Sequence, residues 1–532
     1  MDNLKKNIVG WLVLVAMAAS AEFTVDKTVM GDQYWKIWND AELARINADI
    51  DKYRKSDVTI EIDAPEGAEV SVTQISTDFY FGGQTFNFNQ LGKKELNERY
   101  KALWDAETGL FNAGTVAFYW KYLEPYPYAY RFEERYEDTE NFWDNCPEPK
   151  LQPHWRRPPP DPVISHLKRG GCRVHGHPLV WGCNYDSMPF WLWEEFTPEA
   201  EKIALQRRCS VKFPQHDSKL EIWNRRNSGH INAWHRAWGK VFSVLSEQEV
   251  AALVPSFVKA QQEFLEKRIR DIGARYGSRV DSWDAVNESA RDWAGSAKRK
   301  WPQGESPAFN SMPVTRSVYG MMPRNYAHQA LTMARRTMGP KAVLNVNDHH
   351  LTKDYTDQLQ DLLAHGADFD AAGVQMHLRG NFARSCPPNM TPQGIREQFA
   401  RIASAIGNRK IHVTEISIGA PDMTPKGQMV QAIVACNCYR AWFAVEKMYA
   451  ITWWDLVDGC DWGNVHAGFF TSEMKPKTIY FAMEDLLKRE FRTRLKTKAS
   501  GGKVSFRGFR GRYHLHWKTP DGKLGYRSID LK

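Results

Sequence analysis

The sequence has no long apolar run beyond its first residues, no basic arm and no compact cluster of cysteines. Each absence excludes a class of protein. After residue 21, no stretch is long and apolar enough for a helix that spans a membrane. The net charge is +8, but lysines and arginines are scattered among acidic residues and no nucleic-acid-binding motif is present. We therefore expect neither a membrane span nor a nucleic-acid partner.

Cysteine is scarce, with eight residues in 532, and no metal-binding pattern accompanies it. The C-x-C pair at Cys436 and Cys438 lacks the second cluster that a structural zinc site needs. Asp455 and Asp458 are not surrounded by an EF-hand loop pattern, so calcium is not predicted either. We therefore expect no metal site. Disulfide pairing stays open, because sequence alone does not give the connectivity.

The N-terminus has the features of a secretory signal peptide. Lys5 and Lys6 precede an apolar run over 8–18, and the small-x-small residues 19–21 follow it. These features predict a signal peptide over 1–21, so we expect a secreted or periplasmic protein. An uncleaved anchor or a buried helix is the alternative.

From about residue 78, short apolar segments alternate with longer helical patterns. Such alternation predicts parallel strands joined by helices, and eight units suggest an α/β fold of the closed (β/α)8 type, the TIM barrel. The predicted strands are 79–81, 110–119, 173–181, 282–286, 342–347, 371–377, 410–416 and 450–456. Polar residues gather where these strands end, and in a barrel all such ends open onto one face.

The two ends of the chain predict a second, smaller unit. Alternating runs at 58–62 and 68–72 follow a charged helix over 39–54, and β-like runs with turn residues fill 491–532. We expect a small all-β module from the C-terminal tail and hypothesise that the N-terminal strands pair with it. The predicted domains are 22–77, 78–490 with an insertion at 193–245, and 491–532.

Two glutamates end apolar strands. Glu288 follows Asn287 in W-D-A-V-N-E, and Glu415 follows Thr414 in H-V-T-E. Carboxylates are almost never fully buried without a partner, and at the carboxyl ends of barrel strands both would face one cleft. Glycoside hydrolysis needs such a pair, one protonated to release the departing sugar and one ionised to attack the anomeric carbon. The alternative is that each glutamate caps a helix or pairs with an arginine.

Six ordered motifs make the sequence similar to glycoside hydrolase family 10, the retaining endo-β-1,4-xylanases. Together they cover about 80–485. They are G-H-P-L-V-W (176–181), W-D-A-V-N-E (283–288), N-V-N-D-H (345–349), G-V-Q-M-H-L (373–378), H-V-T-E-I (412–416) and T-W-W-D-L-V-D (452–458).

The resemblance implies a role for each matching residue. Glu288 would be the acid/base and Glu415 the nucleophile of a double displacement that needs no cofactor. Asn287 would bind the 2-hydroxyl of the sugar that is cleaved, and His377 would contact the nucleophile. The other residues implied to bind substrate are His177, Trp181, Asn347, Gln375, Trp454 and Trp462.

Five positions depart from the family pattern. Where the family has Glu, Asn and Lys after strand two, this chain has Thr115, Val116 and Tyr119. Those family residues hold the sugar on the non-reducing side of the cleavage point, and the replacements cannot make the same charged hydrogen bonds. The Asp that orients the histidine is Ser417, and the tyrosine of N-D-Y is His349. A decorated xylan or a different β-linked glycan therefore becomes an alternative substrate.

The resulting expectation is a retaining endo-β-1,4-xylanase that acts as a monomer on a polysaccharide, xylan or a related β-glycan. A non-catalytic carbohydrate-binding protein is the alternative from another class. The arginines and histidines of the insertion at 193–245 either contact acidic sugar decorations or belong to a solvated helical surface. The terminal β module is either a sugar-binding domain or a structural brace.

Overall fold

The computed structural model describes most of the chain. The described residues are 23–135, 138–152, 154–182, 188–213, 228–295, 318–322, 325–378, 380, 382, 386–460 and 465–532. The predicted signal peptide over 1–21 and Trp462 lie outside these ranges. Within them the seven cysteines are free thiols, and none of the helices has the length and apolarity that a membrane crossing requires.

Strands and helices are numbered here in chain order. The strands are β1 (Lys55–Glu61), β2 (Glu69–Thr77), β3 (Tyr80–Gln84), β4 (Ala113–Ala117), β5 (Arg173–His177), β6 (Val180–Trp181), β7 (Ser282–Asn287), β8 (Val343–Asp348), β9 (Ala371–Leu378), β10 (Lys410–Ile418), β11 (Met448–Trp453), β12 (Arg494–Lys498), β13 (Lys503–Phe509), β14 (Gly511–Lys518) and β15 (Leu524–Leu531). The helices are α1 (Asp32–Ile37), α2 (Asp40–Arg54), α3 (Lys94–Lys101), α4 (Trp120–Leu123), α5 (Glu140–Asp144), α6 (Pro160–Arg169), α7 (Trp191–Phe196), α8 (Glu199–Cys209), α9 (Ser228–Val244), α10 (Glu247–Leu253), α11 (Pro255–Tyr276), α12 (Ala290–Gly295), α13 (Tyr326–Met338), α14 (Lys353–Ala364), α15 (Pro392–Ala405), α16 (Pro425–Phe443) and α17 (Thr478–Asp485).

Strands β3 to β11 form a closed parallel barrel. Their order around the ring is β5-β4-β3-β11-β10-β9-β8-β7-β6, and β5 also pairs with β7, which closes the sheet. The helices between them bury one apolar stripe; in α13, Ala327, Leu331 and Ala334 recur at helical spacing and are fully buried. Each of the eight predicted strands is present, with its ends shifted by a few residues. The prediction of a (β/α)8 barrel is confirmed.

The third barrel strand is divided into β5 and β6, because Pro178 has no N–H to give to a ladder. Arg268 of α11 satisfies the carbonyls left over at the break: its Nε donates to Leu179 O at 3.1 Å and its Nη2 donates to Pro178 O at 3.2 Å. Burial lowers the pKa of Arg268 to about 10, so the side chain is still a cation at neutral pH. Beyond the break, Trp181 of β6 pairs with Asn287 of β7, next to Glu288.

The ends of the chain form a β module with its own core. β1 pairs antiparallel with β13, and β2 lies between β12 and β14. Alternate residues of these strands point into one cluster, which includes Val70, Val72, Leu515 and Trp517. The prediction that the C-terminal tail forms an all-β module, joined by the N-terminal strands, agrees with this pairing. The domain boundaries remain predictions.

The described part of the insertion is helical and packed. Its aromatic side chains meet those of α11 with ring centroids 4.7–5.8 Å apart. The residues of this cluster are Trp193, Phe213, Trp234, Trp238 and Phe257. Arg207 and Arg208 of α8 are exposed, and Arg208 lies 3.6 Å from Glu249. Over 193–213 and 233–245 the insertion is therefore a helical layer whose aromatic side chains join the main core.

Candidate active site

A cleft of about 790 Å³ opens at the carboxyl ends of the barrel strands. Glu288 follows β7 directly, Glu415 lies in β10, and both line this cleft. The other residues that were predicted from the sequence and line it are His177, Trp181, Asn287, Gln375, His377 and Trp454. Asn347 is fully buried beneath them and contacts two of them.

One amide oxygen connects the two carboxylates. Asn287 Oδ1 accepts from Asn347 Nδ2 at 2.7 Å and from Gln375 Nε2 at 3.2 Å. The same Asn347 amino group donates to Glu415 Oε1 at 3.1 Å, and that of Gln375 donates to Glu288 Oε1 at 3.1 Å. Because each amino group uses both of its protons, the two carboxylates are held in a fixed relation across Asn287.

The direction of this amide bridge is set by Thr414. Its Oγ1 donates to Asn347 Oδ1 at 2.5 Å, which leaves the Asn347 amino group facing Asn287 and Glu415. Since both neighbouring amides donate to the Asn287 oxygen, the Asn287 amino group is the part of this side chain that is left for a ligand in the cleft.

Glu288 stands on a strained turn at the end of β7. Its φ of 53° lies in the left-handed region, which is uncommon for glutamate. Its backbone N–H donates to Asn347 O at 2.7 Å, which holds the turn, and Trp181 Nε1 donates to the carboxyl Oε2 at 2.8 Å. The turn directs the side chain into the cleft, where it is 19% exposed. Strain of this kind persists where surrounding contacts impose it, often at functional sites.

Glu415 is in contrast almost fully buried, at 4% exposure. His377 Nε2 lies 3.2 Å from its Oε2, and His177 Nδ1 lies 3.9 Å from its Oε1. Burial raises the pKa of Glu415 well above its ordinary value; the charge on Glu288 adds to the rise and His177 opposes it. The two carboxyl groups therefore differ in their access to water.

A buried aspartate holds His177 from inside the barrel. Asp284 Oδ2 lies 2.7 Å from His177 Nδ1 and 3.0 Å from His175 Nε2. Burial opposes the ionisation of Asp284, yet the two histidines lower its pKa below the ordinary range. The His177 ring also meets the Trp454 ring edge-on, with centroids 5.0 Å apart. The imidazole is thereby fixed on two sides at the floor of the cleft.

The side chains of His177, Asp284 and Glu415 bring ligand-type atoms within 4.8 Å of one another. His177 Nδ1 already forms its hydrogen bond with Asp284, so hydrogen bonding accounts for this grouping. The grouping of these three residues is thus explained without a bound ion. The expectation that no metal or cofactor takes part remains a prediction.

The wall of the cleft beside His177 is aromatic. Tyr119 lines it, whereas Thr115 and Val116, at the other two departures after strand two, are buried outside the lining. The Arg157 guanidinium lies 3.9 Å from the centroid of the Tyr119 ring, within the range of a cation–π contact. At the rim, His349 Nδ1 lies 3.9 Å from Glu288 Oε1.

Several lining residues were not predicted from the sequence, and Phe86, Arg156 and Arg157 are three of them. Phe86 comes two residues after β3, so the strand-end rule that found the other site residues applies to it as well. The arginines lie in the proline-rich R-R-P-P-P stretch, whose path over the barrel no local pattern reveals.

Comparisons with known proteins identify a family. The profile described as glycosyl hydrolase family 10 matches residues 206–486, more than half of the chain. Endo-1,4-beta-xylanase B of Thermotoga neapolitana is 24% identical over 248 residues, which are 43% of this chain and 63% of that protein. Endo-1,4-beta-xylanase C of Paenibacillus barcinonensis is 26% identical over 331 residues, which are 55% of this chain and 28% of that protein. The chain thus spans less than two thirds of the length of these relatives.

Among solved structures, native xylanase 10B from Thermotoga maritima is 17% identical, and the match covers 78% of this chain and 96% of that chain with a TM-score of 0.46. A second is xylanase 10B from Thermotoga petrophila RKU-1 in complex with xylobiose, with 17% identity, 78% and 95% coverage and a TM-score of 0.47. On the profile match over more than half of its length, this chain belongs to glycosyl hydrolase family 10.

Proposed function

We propose that this protein is a retaining endo-β-1,4-xylanase in which Glu415 is the nucleophile and Glu288 the acid/base. The observation that carries the proposal is the amide bridge, in which one Asn287 oxygen accepts from the two amino groups that also hold the carboxylates. A retaining enzyme needs its two carboxyl groups roughly 5–5.5 Å apart, and a rigid bridge between them serves that requirement.

The proposed reaction has two displacements. First, a Glu415 oxygen attacks the anomeric carbon while the Glu288 proton passes to the glycosidic oxygen, and the bond between sugar and leaving group breaks. Second, Glu288 removes a proton from water, the water oxygen attacks the same carbon, and Glu415 leaves. The net change is hydrolysis with retention at the anomeric carbon.

The different surroundings of the two carboxyl groups support this division of roles. Glu288 is partly exposed, so water reaches it once the leaving group has departed. Glu415 is shielded from water, which protects a covalent intermediate from unassisted hydrolysis. Its attack requires the ionised form, and the developing positive charge on the sugar favours that form.

Substrate binding is proposed to use amide and aromatic groups. The free amino group of Asn287 is placed for the 2-hydroxyl of the sugar that is cleaved. The rings of Trp181 and Trp454 line the cleft beside both glutamates and offer apolar faces to a pyranose. His177 and Gln375 supply polar atoms in the same region. Trp462 keeps the substrate-binding role that the resemblance implies, as a proposal only.

A second candidate is a family relative that cleaves a decorated xylan or another β-linked glycan. Tyr119 and Arg157 favour it, since they form one wall of the cleft and Tyr119 stands at the position of the family lysine on the non-reducing side. The third candidate, a carbohydrate-binding protein without activity, has no specific observation in its favour.

Digestion of defined substrates separates the candidates. We expect the protein to release short products from xylohexaose, arabinoxylan or glucuronoxylan, and the Glu415→Gln variant to release none. Cleavage of mixed-linkage glucan but not of any xylan would move the assignment to the second candidate. Binding without product in the parent protein would overturn both enzymatic readings.

We further propose that the protein is exported by the segment 1–21 and acts as a monomer. Expression with and without this segment, followed by mass spectrometry of the mature N-terminus, tests the first point. Size-exclusion chromatography with light scattering tests the second, and a stable dimer would contradict it.

A further inference from the structure

A chain of hydrogen bonds reaches from Glu415 to a buried aspartate on another strand. His377 Nε2 lies 3.2 Å from Glu415 Oε2, and His377 Nδ1 lies 3.0 Å from Ser417 Oγ. Ser417 Oγ then donates to Asp455 Oδ2 at 2.6 Å. Ser417 and Asp455 are 2% and 1% exposed, so water does not compete for these contacts.

The ion pair at Asp455 sets the proton positions in this chain. Asp455 Oδ1 lies 3.4 Å from Arg156 Nη2, and beside this permanent cation Asp455 is a carboxylate that accepts and does not donate. The single hydroxyl proton of Ser417 therefore goes to Asp455. Ser417 Oγ is left as an acceptor for His377, whose Nδ1 must carry a proton.

We propose that Asp455 is a positioning residue for the nucleophile, acting through Ser417 and His377. The proposal rests on the proposed role of Glu415. Ser417 occupies the position where the family has the aspartate that orients the histidine, and here the carboxylate of Asp455, after β11, lies one hydrogen bond further along. The serine hydroxyl transmits its orientation to the imidazole.

The arrangement fixes which nitrogen of His377 faces the nucleophile. With Nδ1–H directed at Ser417, the Nε2 of a neutral His377 is a bare lone pair opposite Glu415 Oε2. His377 donates an N–H to Glu415 only when His377 is a cation. A hydrogen bond between the two side chains therefore needs one proton, either on His377 Nε2 or on Glu415 Oε2. In the part of the chain that the structure describes, the charged and titratable groups around the contact include Glu288, His177, Asp284, Asp455 and Arg156.

An asparagine at 455 would release this constraint. Its amino group can donate to Ser417, which then donates to His377 Nδ1 and turns the Nε2 side into a permanent N–H donor. Loss of the negative charge and gain of the donor both make it easier for the proton to leave the His377–Glu415 contact. The acid limb of the pH profile therefore moves to lower pH.

Two measurements on the full chain test the proposal. In the first, ¹⁵N NMR of histidine-labelled protein, assigned with His377→Gln, reports the His377 tautomer without requiring activity. We expect the Nδ1–H form in the parent at pH 8 and a shift toward the Nε2–H form in Asp455→Asn. An Nε2–H tautomer in the parent would overturn the proposal, even if the protein is fully active.

In the second measurement, Asp455→Asn and Ser417→Ala are compared with the parent on xylo-oligosaccharides from pH 4 to 8. We expect each to lower kcat about tenfold with little change in KM, because the nucleophile is misplaced, and the two effects not to add. We expect the acid limb of Asp455→Asn to lie about one pH unit lower. The swap Ser417→Asp with Asp455→Ser returns a carboxylate to His377 and should restore most of kcat.

Asp458→Asn is the matched control. Asp458 is a buried carboxylate of the same loop, paired with Lys477 at 2.9 Å outside the cleft lining, so its loss should lower Tm without moving the pH profile. An equal shift in Asp458→Asn, or an unshifted profile in Asp455→Asn, would overturn the proposal. A parent that cleaves no β-glycan refutes the proposed function instead, and the tautomer measurement still decides this inference.

Discussion

Two parts of the cleft differ in how closely they follow the family pattern. At Glu288, Glu415 and the three amide side chains between them the sequence matches the motifs, and the amides of Asn287, Asn347 and Gln375 form one connected network with both carboxylates. The wall formed by Tyr119 and Arg157 does not match, because Tyr119 stands at the position of the family lysine and its ring lies against a guanidinium. Under the proposed function, the difference teaches that the groups which act on the scissile bond and the groups which contact the neighbouring sugar can vary separately.

The largest effect should come from the carboxylates themselves. Glu415→Gln removes the nucleophile and keeps the size of the side chain, so kcat should fall on the order of 10³-fold or more. Glu288→Gln should lose most activity on natural glycans and less on an aryl glycoside whose leaving group needs no proton. Initial rates on xylohexaose and on an aryl β-xylobioside check both. If Glu288→Gln lost activity equally on the two substrates, the proposed role of Glu288 as the acid would be contradicted.

The second-largest loss of kcat should come from breaking the amide bridge. Asn347→Leu removes one donor from Glu415 and one from Asn287, and a hydrogen bond to a charged group contributes about 1.5–3 kcal/mol, so kcat should fall about 10- to 100-fold. Asn437→Leu is the control, because Asn437 is buried in α16 and contacts Tyr34 away from the cleft. If both variants reduced kcat equally, the bridge would have no special role.

The wall should have a smaller and more selective effect. Replacing Tyr119 by Lys together with Arg157→Met returns the family lysine, and kcat/KM on undecorated xylotetraose should rise about tenfold relative to decorated oligosaccharides. Arg207→Met on the exposed face of α8 serves as the control. An unchanged ratio between the two substrate types would show that the wall does not select the sugar.

The decline of activity at acid pH tests the effect of burial on the pKa of Glu415. Burial raises the pKa of Glu415, so the carboxyl group is fully ionised only well above that raised pKa. The ionised fraction, which the proposed attack requires, is lost as the pH falls through it. We expect kcat/KM to decline with a midpoint above 4.5, the ordinary value for a glutamate. Full activity maintained down to pH 4.5 would contradict this account.

The smallest expected effect concerns the stability of the fold. The variant that abolishes activity, Glu415→Gln, should be more stable than the parent at neutral pH. The unfolded chain ionises Glu415 near pH 4.5 and the folded chain only at a higher pH, so between the two values the folded state binds more protons and its stability falls as pH rises. Glu415→Gln should therefore raise Tm at pH 7 and lose this advantage below pH 4.5. Thermal unfolding at both pH values checks the sign.

Much of the barrel and its carboxylates could be predicted from the sequence, because strand-end residues are local to their apolar strands. The pairing of Ser417 with Asp455 could not, since 38 residues separate them and only the neighbouring positions of β10 and β11 in the ring bring them together. Arg157 was missed for the same reason, because the path of a proline-rich segment depends on the surface on which it lies. The left-handed turn at Glu288 also has no local signal, since no glycine marks it.

Covalent trapping tests the central claim most directly. An activated 2-deoxy-2-fluoro β-xylobioside should form a stable ester, and peptide mapping by mass spectrometry should find the sugar on Glu415, with no label in the Glu415→Gln variant. A label on any other residue, or an active protein that releases its product with inverted anomeric configuration, would contradict the account.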